Sequence, residues 1–384
     1  MRFPERRLLV AAAAPASVFD ERRLGEKAMV IADWTSVIGH ARRQGVLSLM
    51  ARRLPGGPWD AALREDRLRV AQQGLDLARR LPALLGLFRE AHVPALAFKG
   101  PSLAAFLYGD PAARVSTDLD VLVHRRDAVA ARCILERAGM RGGIHLPPDL
   151  EARFVRGSNE FGFTDHDGNI VEIAWALAPR PFAVDLDADV FFERAVDVDV
   201  AGAEVATLAA DDMLVALCVH GGKHLWERLG WVADVAQLLE HPGLDLDRAI
   251  RFAEQHGVKR MVLVGVALAH GLLGAPLDPP AVRALADDPA SQPLARELAS
   301  RLYAAHAVQR PEARFDTFRM RLRERPVDRL RVLGRSLFEP TLGDWTSIRL
   351  PPRLGFVYPL IRPGRLAMST LRTRGRRGHH EALP

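Results

Sequence analysis

The sequence predicts an α+β protein, a small mixed β-sheet core flanked by N-terminal and C-terminal helical regions. Three observations lead there. Apolar residues recur at helical spacing through the first 90 residues and again from about residue 210. Between these stretches lie short apolar runs at 93–98 and 118–123, too short for ordinary helices. An Asp-Gly pair, Asp167-Gly168, then separates two alternating runs at 161–163 and 170–175, which signals a hairpin.

Taken in order, Arg2, Arg6 and Arg7 precede a short, alanine-rich apolar run from Leu8. A first helix is expected there. An export signal is the other reading, and Glu5 within the basic segment counts against it. A helix over 34–54 ends at Pro55-Gly56-Gly57-Pro58, and a second runs over 59–91 with a broad apolar face. The character changes at His92. A buried strand over 93–98 reaches the turn Lys99-Gly100, and a helix over 101–108 carries Pro101 in its first turn, where no backbone donor is lost. A strand over 118–123 and a helix over 127–138, closed by Gly139, come next. After the hairpin, a second one is expected around 196–200 and 205–208. Helices are then predicted over 211–219, 228–240, 246–256, 258–273, 279–285, 293–307 and 314–335. The last 40 residues are rich in Pro and Arg and are expected to be only partly ordered. This divides the chain into a helical region 1–90, an α/β core 91–209, a helical domain 210–340 and a basic tail 341–384.

At 384 residues the chain is long enough for more than one domain, and 48% hydrophobic content excludes a disordered chain. The net charge of +6 is unevenly placed. Residues 346–384 carry eight Arg (Arg349, Arg353, Arg362, Arg365, Arg372, Arg374, Arg376 and Arg377) and one acid, Glu381. The remaining 45 cations and 46 anions leave the body nearly neutral, which speaks against a nucleic-acid-binding core. The tail is either simply solvated or suited to an anionic partner: RNA, a membrane surface or an acidic protein. Two distant cysteines, Cys133 and Cys218, give no disulfide framework and fit a reducing, cytoplasmic setting. The uncharged run 261–277 contains His270, three glycines and Pro276, and reads as a buried helix rather than a bilayer span.

Chemistry concentrates in the middle of the chain. Asp118 and Asp120 lie two apart on a strand, so both carboxylates share one face. Such a pair repels unless a cation sits between, and Mg²⁺ accepts a few carboxylates while leaving places for phosphate oxygens. A solvated strand end produces the same pattern. Upstream, Gly100 lets the backbone approach a phosphate at a helix N-terminus, and Lys99, one of only four lysines, could supply a point charge. A surface lysine would look the same. Glu172, mid-strand, is either a third metal ligand or an exposed sheet residue.

These residues carry a resemblance. Leu96-Ala97-Phe98-Lys99-Gly100, Tyr108, Arg114, Asp118-x-Asp120-x-Leu122-Val123 and Glu172-Ile173-x-Trp175 resemble the uncharacterised nucleotidyltransferase-like family of the DNA polymerase β-type superfamily. His220-Gly221-x-x-His224-x-Trp226-x-Arg228-Leu229-x-Trp231-x-x-Asp234 is similar to that family's second block. The resemblance covers about residues 35–275 and implies a nucleotidyltransferase core of bacterial type. It implies that Asp118 and Asp120 bind Mg²⁺, two ions in all, that Glu172 completes the acidic triad, and that Gly100 lies by the nucleotide phosphates. Lys99, Gly100, Ser102 and Arg114 form the nucleotide-binding set, with ATP the expected donor. The implied reaction is attack of an acceptor hydroxyl or amine on the α-phosphorus of an NTP, with pyrophosphate released to solvent. The acceptor is a small molecule, a protein or RNA.

Two departures stand out. The superfamily places Ser directly after the glycine, whereas here Pro101 intervenes before Ser102, and Ala174 stands where the narrower family often has His. In the second block, His220, Lys223, His224 and Arg228 either close the substrate cleft or form a structural network. Zinc is disfavoured because the Glu of the metalloprotease motif is replaced by Gly221. The alternative functions are a non-catalytic nucleotide-binding or toxin–antitoxin-type interaction module, and an RNA-binding protein acting through its tail.

Overall fold

The computed structural model describes residues 3–54, 56–144, 146–302, 317–348, 350–366 and 368. The chain opens with five helices, α1 (Phe3–Ala13), α2 (Glu21–Met29), α3 (Trp34–Arg43), α4 (Leu47–Arg53) and α5 (Asp60–Glu90). The α/β segment follows as β1 (Ala95–Ala97), α6 (Gly100–Tyr108), β2 (Asp118–Val123), α7 (Ala128–Arg137), β3 (Arg141–Gly142), α8 (Pro148–Gly157), β4 (Glu160–Thr164), β5 (Ile170–Ala174), α9 (Asp189–Phe192), β6 (Val196–Val200) and β7 (Ala203–Thr207). Helices then return: α10 (Ala210–Lys223), α11 (Leu229–Leu238), α12 (Leu246–Gln255), α13 (Lys259–Leu273), α14 (Pro279–Asp287), α15 (Ser291–Leu302), α16 (Thr317–Arg321), α17 (Pro326–Phe338) and α18 (Leu342–Ser347).

The seven strands form one sheet in the order β3-β4-β5-β2-β1-β7-β6. β2 runs parallel to β5, and β1 to β7, while the other neighbours are antiparallel, so the sheet is mixed. Alternation along the strands separates two cores. Leu119, Val121, Phe161, Phe163, Val171 and Ile173 face one core together with α5, α7 and Trp175. Leu96 and Leu122 face the other, which gathers the N-terminal helices and α10 to α15 into one cluster.

Several elements differ from the sequence prediction, each for a local reason. The helix expected over 34–54 breaks at Gln44, Gly45 and Val46, where Gly45 takes φ +69°. Within the stretch 314–335, α16 and α17 are separate because Pro326 cannot continue a helix and starts a new one instead. Residues 303–316 lie outside the described residues, so the expected ends of two helices there do too. β3 and α8 were not predicted: β3 has only two residues, and α8 opens on Pro148 in a stretch that reads as a loop. The second hairpin turns tightly at Ala201-Gly202, both at positive φ, so β7 begins at Ala203 rather than Val205. The run from Leu8, with an export signal as its other reading, forms α1 and buries Leu8, Leu9 and Ala12 in the larger core.

The basic tail is more engaged than expected. Trp345 and Tyr358 are buried in the sheet-side core, and the Tyr358 hydroxyl donates to the Ile348 carbonyl at 2.8 Å. Arg362 and Arg365 both pair with Asp344. Arg349, Arg372, Arg374, Arg376 and Arg377 lie outside the described residues, as does the Arg353 side chain. Among the described residues no helix is long and apolar enough to cross a membrane.

Candidate functional site

The parallel register of β2 and β5 pairs Asp118 with Ile170, Asp120 with Glu172 and Leu122 with Ala174. Directly paired residues share a face, so Asp118, Asp120 and Glu172 project from the same side of the sheet. The antiparallel β4 adds Gly162 opposite Glu172 and Glu160 opposite Ala174, so Glu160 joins the same acidic face. Ionised carboxylates this close repel each other, and burial removes water that would screen them. Glu172 accordingly rises to about 7, through burial first and then the charges of Asp120, Glu160 and Asp118. Burial also raises Asp120, which is 6% exposed, although Lys99 pulls it back.

Lys99 supplies the compensating charge. Its ammonium stands 2.6 Å from Asp120 Oδ1. Burial works against that ammonium, but the charges of Asp120, Asp118 and Glu172 outweigh it and hold Lys99 above its ordinary range. The backbone that places it is strained: Lys99 has φ 62° and ψ −150°, a region almost reserved for glycine, and Gly100 follows at φ +52°. A Cβ at Gly100 would lie 3.2 Å from the Asp118 carbonyl, so the turn is pressed against the start of β2. Ser102 is fully buried and donates its hydroxyl to the Lys99 carbonyl at 2.8 Å. The single proton of Ser102 is thus spent on the turn, and Ser102 supports Lys99 and Gly100 from below instead of offering a hydroxyl to a phosphate.

The opposite wall is the end of α10. His220 and His224 stand with ring centroids 4.7 Å apart, and both lie against Trp231 of α11, at 4.9 and 5.6 Å. Burial, helped by Lys99 and Lys223, keeps both histidines neutral: His220 falls well below its usual range and His224 to about 3. Lys223 reaches across the cleft to Glu160 at 3.9 Å, and burial lowers its pKa. Arg114 is tied to Asp234 of α11 at 2.8 Å, with the Tyr108 hydroxyl donating to the same carboxylate at 3.4 Å. The first and second motifs therefore meet in space through Arg114, Tyr108 and Asp234. Arg228 is exposed, with its guanidinium over the Trp231 ring at 5.6 Å, at the mouth rather than the centre.

The model of the uncharacterised nucleotidyltransferase family matches residues 31–274. The chain belongs to that family. It is thus a nucleotidyltransferase by family, and both blocks of the site lie inside the matched region. No curated protein matches the chain. Among solved structures, an antigenic nucleotidyltransferase-like protein from Paracoccidioides brasiliensis is similar at 13% identity, over 53% of this chain and 94% of that chain, with a TM-score of 0.32.

In this nucleotidyltransferase the fold brings together all of the sequence-predicted residues except Arg228, which stays at the rim. Three carboxylates with hard oxygen donors, on neighbouring positions of one rigid face, suit a hard divalent ion. As the side chains stand, no three His, Cys, Asp or Glu residues among those described are drawn close enough to hold one, and the Lys99 ammonium sits on Asp120. Sequence reasoning passed over three further residues. Glu160 was findable, since Glu160-Phe161-Gly162-Phe163 alternates and the hairpin register aligns it with the acids. Asp234 stood in the second block without an assigned role. Arg319, which donates to the Lys223 carbonyl at 3.0 Å and adds positive charge near His224, had no signal in a chain with 49 arginines.

Proposed function

We propose that the protein transfers a nucleoside monophosphate from an NTP, ATP in the first instance, to a hydroxyl or amine of an acceptor, with Mg²⁺ bound by Asp118, Asp120 and Glu172. The observation that supports this reading is the register of β2 and β5, which sets three carboxylates side by side next to the Lys99-Gly100 turn. The donor set fits the metal chemically. Two Mg²⁺ ions held there would neutralise charge on the attacking and leaving oxygens.

The chain's own groups do the rest. The turn at Gly100 opens the N-terminus of α6 towards the phosphates. Lys99 exchanges Asp120 for the triphosphate when substrate and ion arrive, so the buried carboxylate keeps a counter-charge throughout. Lys223 and Arg319, on the helical wall, add positive charge where pyrophosphate develops. The acceptor oxygen or nitrogen forms a bond to the α-phosphorus as the bond to the bridging oxygen breaks, and pyrophosphate departs. Glu172 orients the acceptor and takes its proton. The neutral histidines of α10 exclude water from this end of the cleft without competing for the carboxylates.

The test is incubation with each α-labelled NTP, Mg²⁺ and cell extract, comparing the protein with an Asp118→Ala plus Asp120→Ala variant. Labelled acceptor is expected with the native chain, and the double variant should lower its yield by about a thousandfold or more. Label transfer that survives the double substitution would refute the assigned site.

A further inference from the structure

Asp120 is the hub of the acidic row. It stands two positions along β2 from Asp118 and directly across from Glu172, whereas Asp118 and Glu172 face each other only on the diagonal. A divalent ion that gathers the row therefore has to use Asp120. The ammonium of Lys99 already rests on that carboxylate, 2.6 Å from Oδ1. Among the described residues no other cation forms an ion pair with Asp118, Asp120 or Glu172: Arg114 is committed to Asp234 at 2.8 Å, and Lys223 lies towards Glu160 at 3.9 Å. The backbone fixes Lys99 from both sides. The Phe98 amide donates to the Asp120 carbonyl at 2.9 Å, and the Lys99 carbonyl accepts from the Ser102 hydroxyl at 2.8 Å and the Leu103 amide at 3.1 Å. Between these anchors the left-handed turn at Lys99 folds its side chain back onto β2. Strain of this kind persists where the surroundings over-determine it, and it marks a backbone shaped for a task.

We propose that Lys99 is a resident counter-ion that keeps free Mg²⁺ off the acidic row, so that metal loads together with the triphosphate and not before it. The inference rests on the metal-binding reading above and adds an order to it. Without a nucleotide the ammonium has no better place to go, because the neighbouring acids outside the row, Glu160 and Asp234, face Lys223 and Arg114. An incoming ion would have to settle beside a fixed positive charge, and Mg²⁺ gives up its water shell reluctantly. A triphosphate changes both conditions. It offers the ammonium new oxygens and brings its own ion. The flexible four-carbon stem and rotatable donors of a lysine suit such a move, whereas a guanidinium forked onto a carboxylate would resist it. Asp120 is thus neutralised by lysine before loading and by metal after it.

The full chain, free of nucleotide, is titrated with Mn²⁺ in place of Mg²⁺, and the unbound ion is read by electron paramagnetic resonance. The native chain is expected to show no saturable site below about 1 mM, whereas Lys99→Met should bind Mn²⁺ about tenfold more tightly or better. Adding Asp118→Ala and Asp120→Ala to Lys99→Met should abolish the gained site. Thermal melting should follow the same pattern: Mn²⁺ raises the melting temperature of Lys99→Met by a few degrees and leaves the native chain unchanged. Saturable binding by the native chain below about 1 mM would overturn the proposal, and this arm stands even if the variant does not fold. Equal affinity of the native and Lys99→Met chains would overturn it likewise, including the case in which neither binds. Label transfer that still depends on Asp118 and Asp120 would then leave the metal-binding reading in place and strike only its order. Loss of that dependence as well would strike both.

Discussion

At the scale of single residues, the molecule's main electrostatic problem is a buried row of carboxylates, and Lys99 is its answer. The strained turn at Lys99 costs about 1–3 kcal/mol and persists because the Ser102 hydroxyl and the Leu103 amide both fix the Lys99 carbonyl. Removing the ammonium would leave Asp120 without its counter-charge in a site shielded from water. Lys99→Met should therefore lower stability by about 2–4 kcal/mol in the presence of a chelator, read from urea denaturation. An unchanged midpoint would show that the pair contributes nothing. Glu172 makes a pH prediction. Its folded pKa of about 7 lies above the unfolded value, so between the two the folded chain holds a proton that the unfolded chain has lost. Stability conferred by the neutral acid is present at low pH and is lost as pH rises through 7. In metal-free buffer, Glu172→Gln should raise the melting temperature at pH 8 and change it little at pH 4. Equal effects at both pH values would contradict the assigned shift. The acids themselves were legible, because spacing of two and strand alternation fix their face. Their partner was not, because the pairing of Lys99 with Asp120 depends on the β1–β2 register and on a backbone conformation that sequence patterns do not specify.

At the scale of elements, close approach governs the helical wall. Gly221 lies under Trp226, and a Cβ there would fall 2.5 Å from the indole. Trp226 is itself 1% exposed and held by its own amide donating to the Gly221 carbonyl at 2.9 Å. Gly221→Ala would have to displace a buried ring, and should cost about 1–3 kcal/mol in a thermal or urea melt despite the better helix propensity of Ala. A stabilised variant would show that the ring yields. Because α10 carries His220 and Lys223 and is capped by His224, the same change should also weaken NTP binding. The main helices and both hairpins could be read from periodicity and turn residues. β3 and α8 could not, since a two-residue strand has no alternation to detect and a helix opening on Pro147-Pro148 imitates a loop. Breaks inside long apolar stretches, at Gly45 and before Pro326, were hidden because helical spacing resumes on either side.

At the scale of the whole molecule, the sheet separates two apolar cores, and the C-terminal segment belongs to one of them. Trp345 packs near Phe154 with ring centroids 6.3 Å apart, and Tyr358 closes the same cluster. Tyr358→Ala should lower stability by about 3 kcal/mol, a drop of a few degrees in melting temperature for a chain of this size. A negligible effect would mean that the segment merely rests on the core. Sequence composition located the positive charge correctly but could not show that Arg362 and Arg365 are consumed by Asp344, because that pairing joins positions 18 and 21 residues apart across a bend.

The register that makes the site also sets how much chain must be looped to assemble each part of it. The β1–β2 pairing that delivers Lys99 to Asp120 closes within residues 95–123, whereas Glu172 lies 52 residues beyond its partner on β2. Short loops close at lower entropic cost than long ones. The counter-charge for Asp120 therefore comes through a contact that is cheaper to close than the one that brings Glu172 beside it. The links from Thr207 back to Ala97 and from Asp234 back to Arg114 span 110 and 120 residues and cost more chain entropy to close. The first two acids and their counter-charge thus lie within one short stretch of chain, whereas the wall that faces them is built from residues about a hundred positions further on.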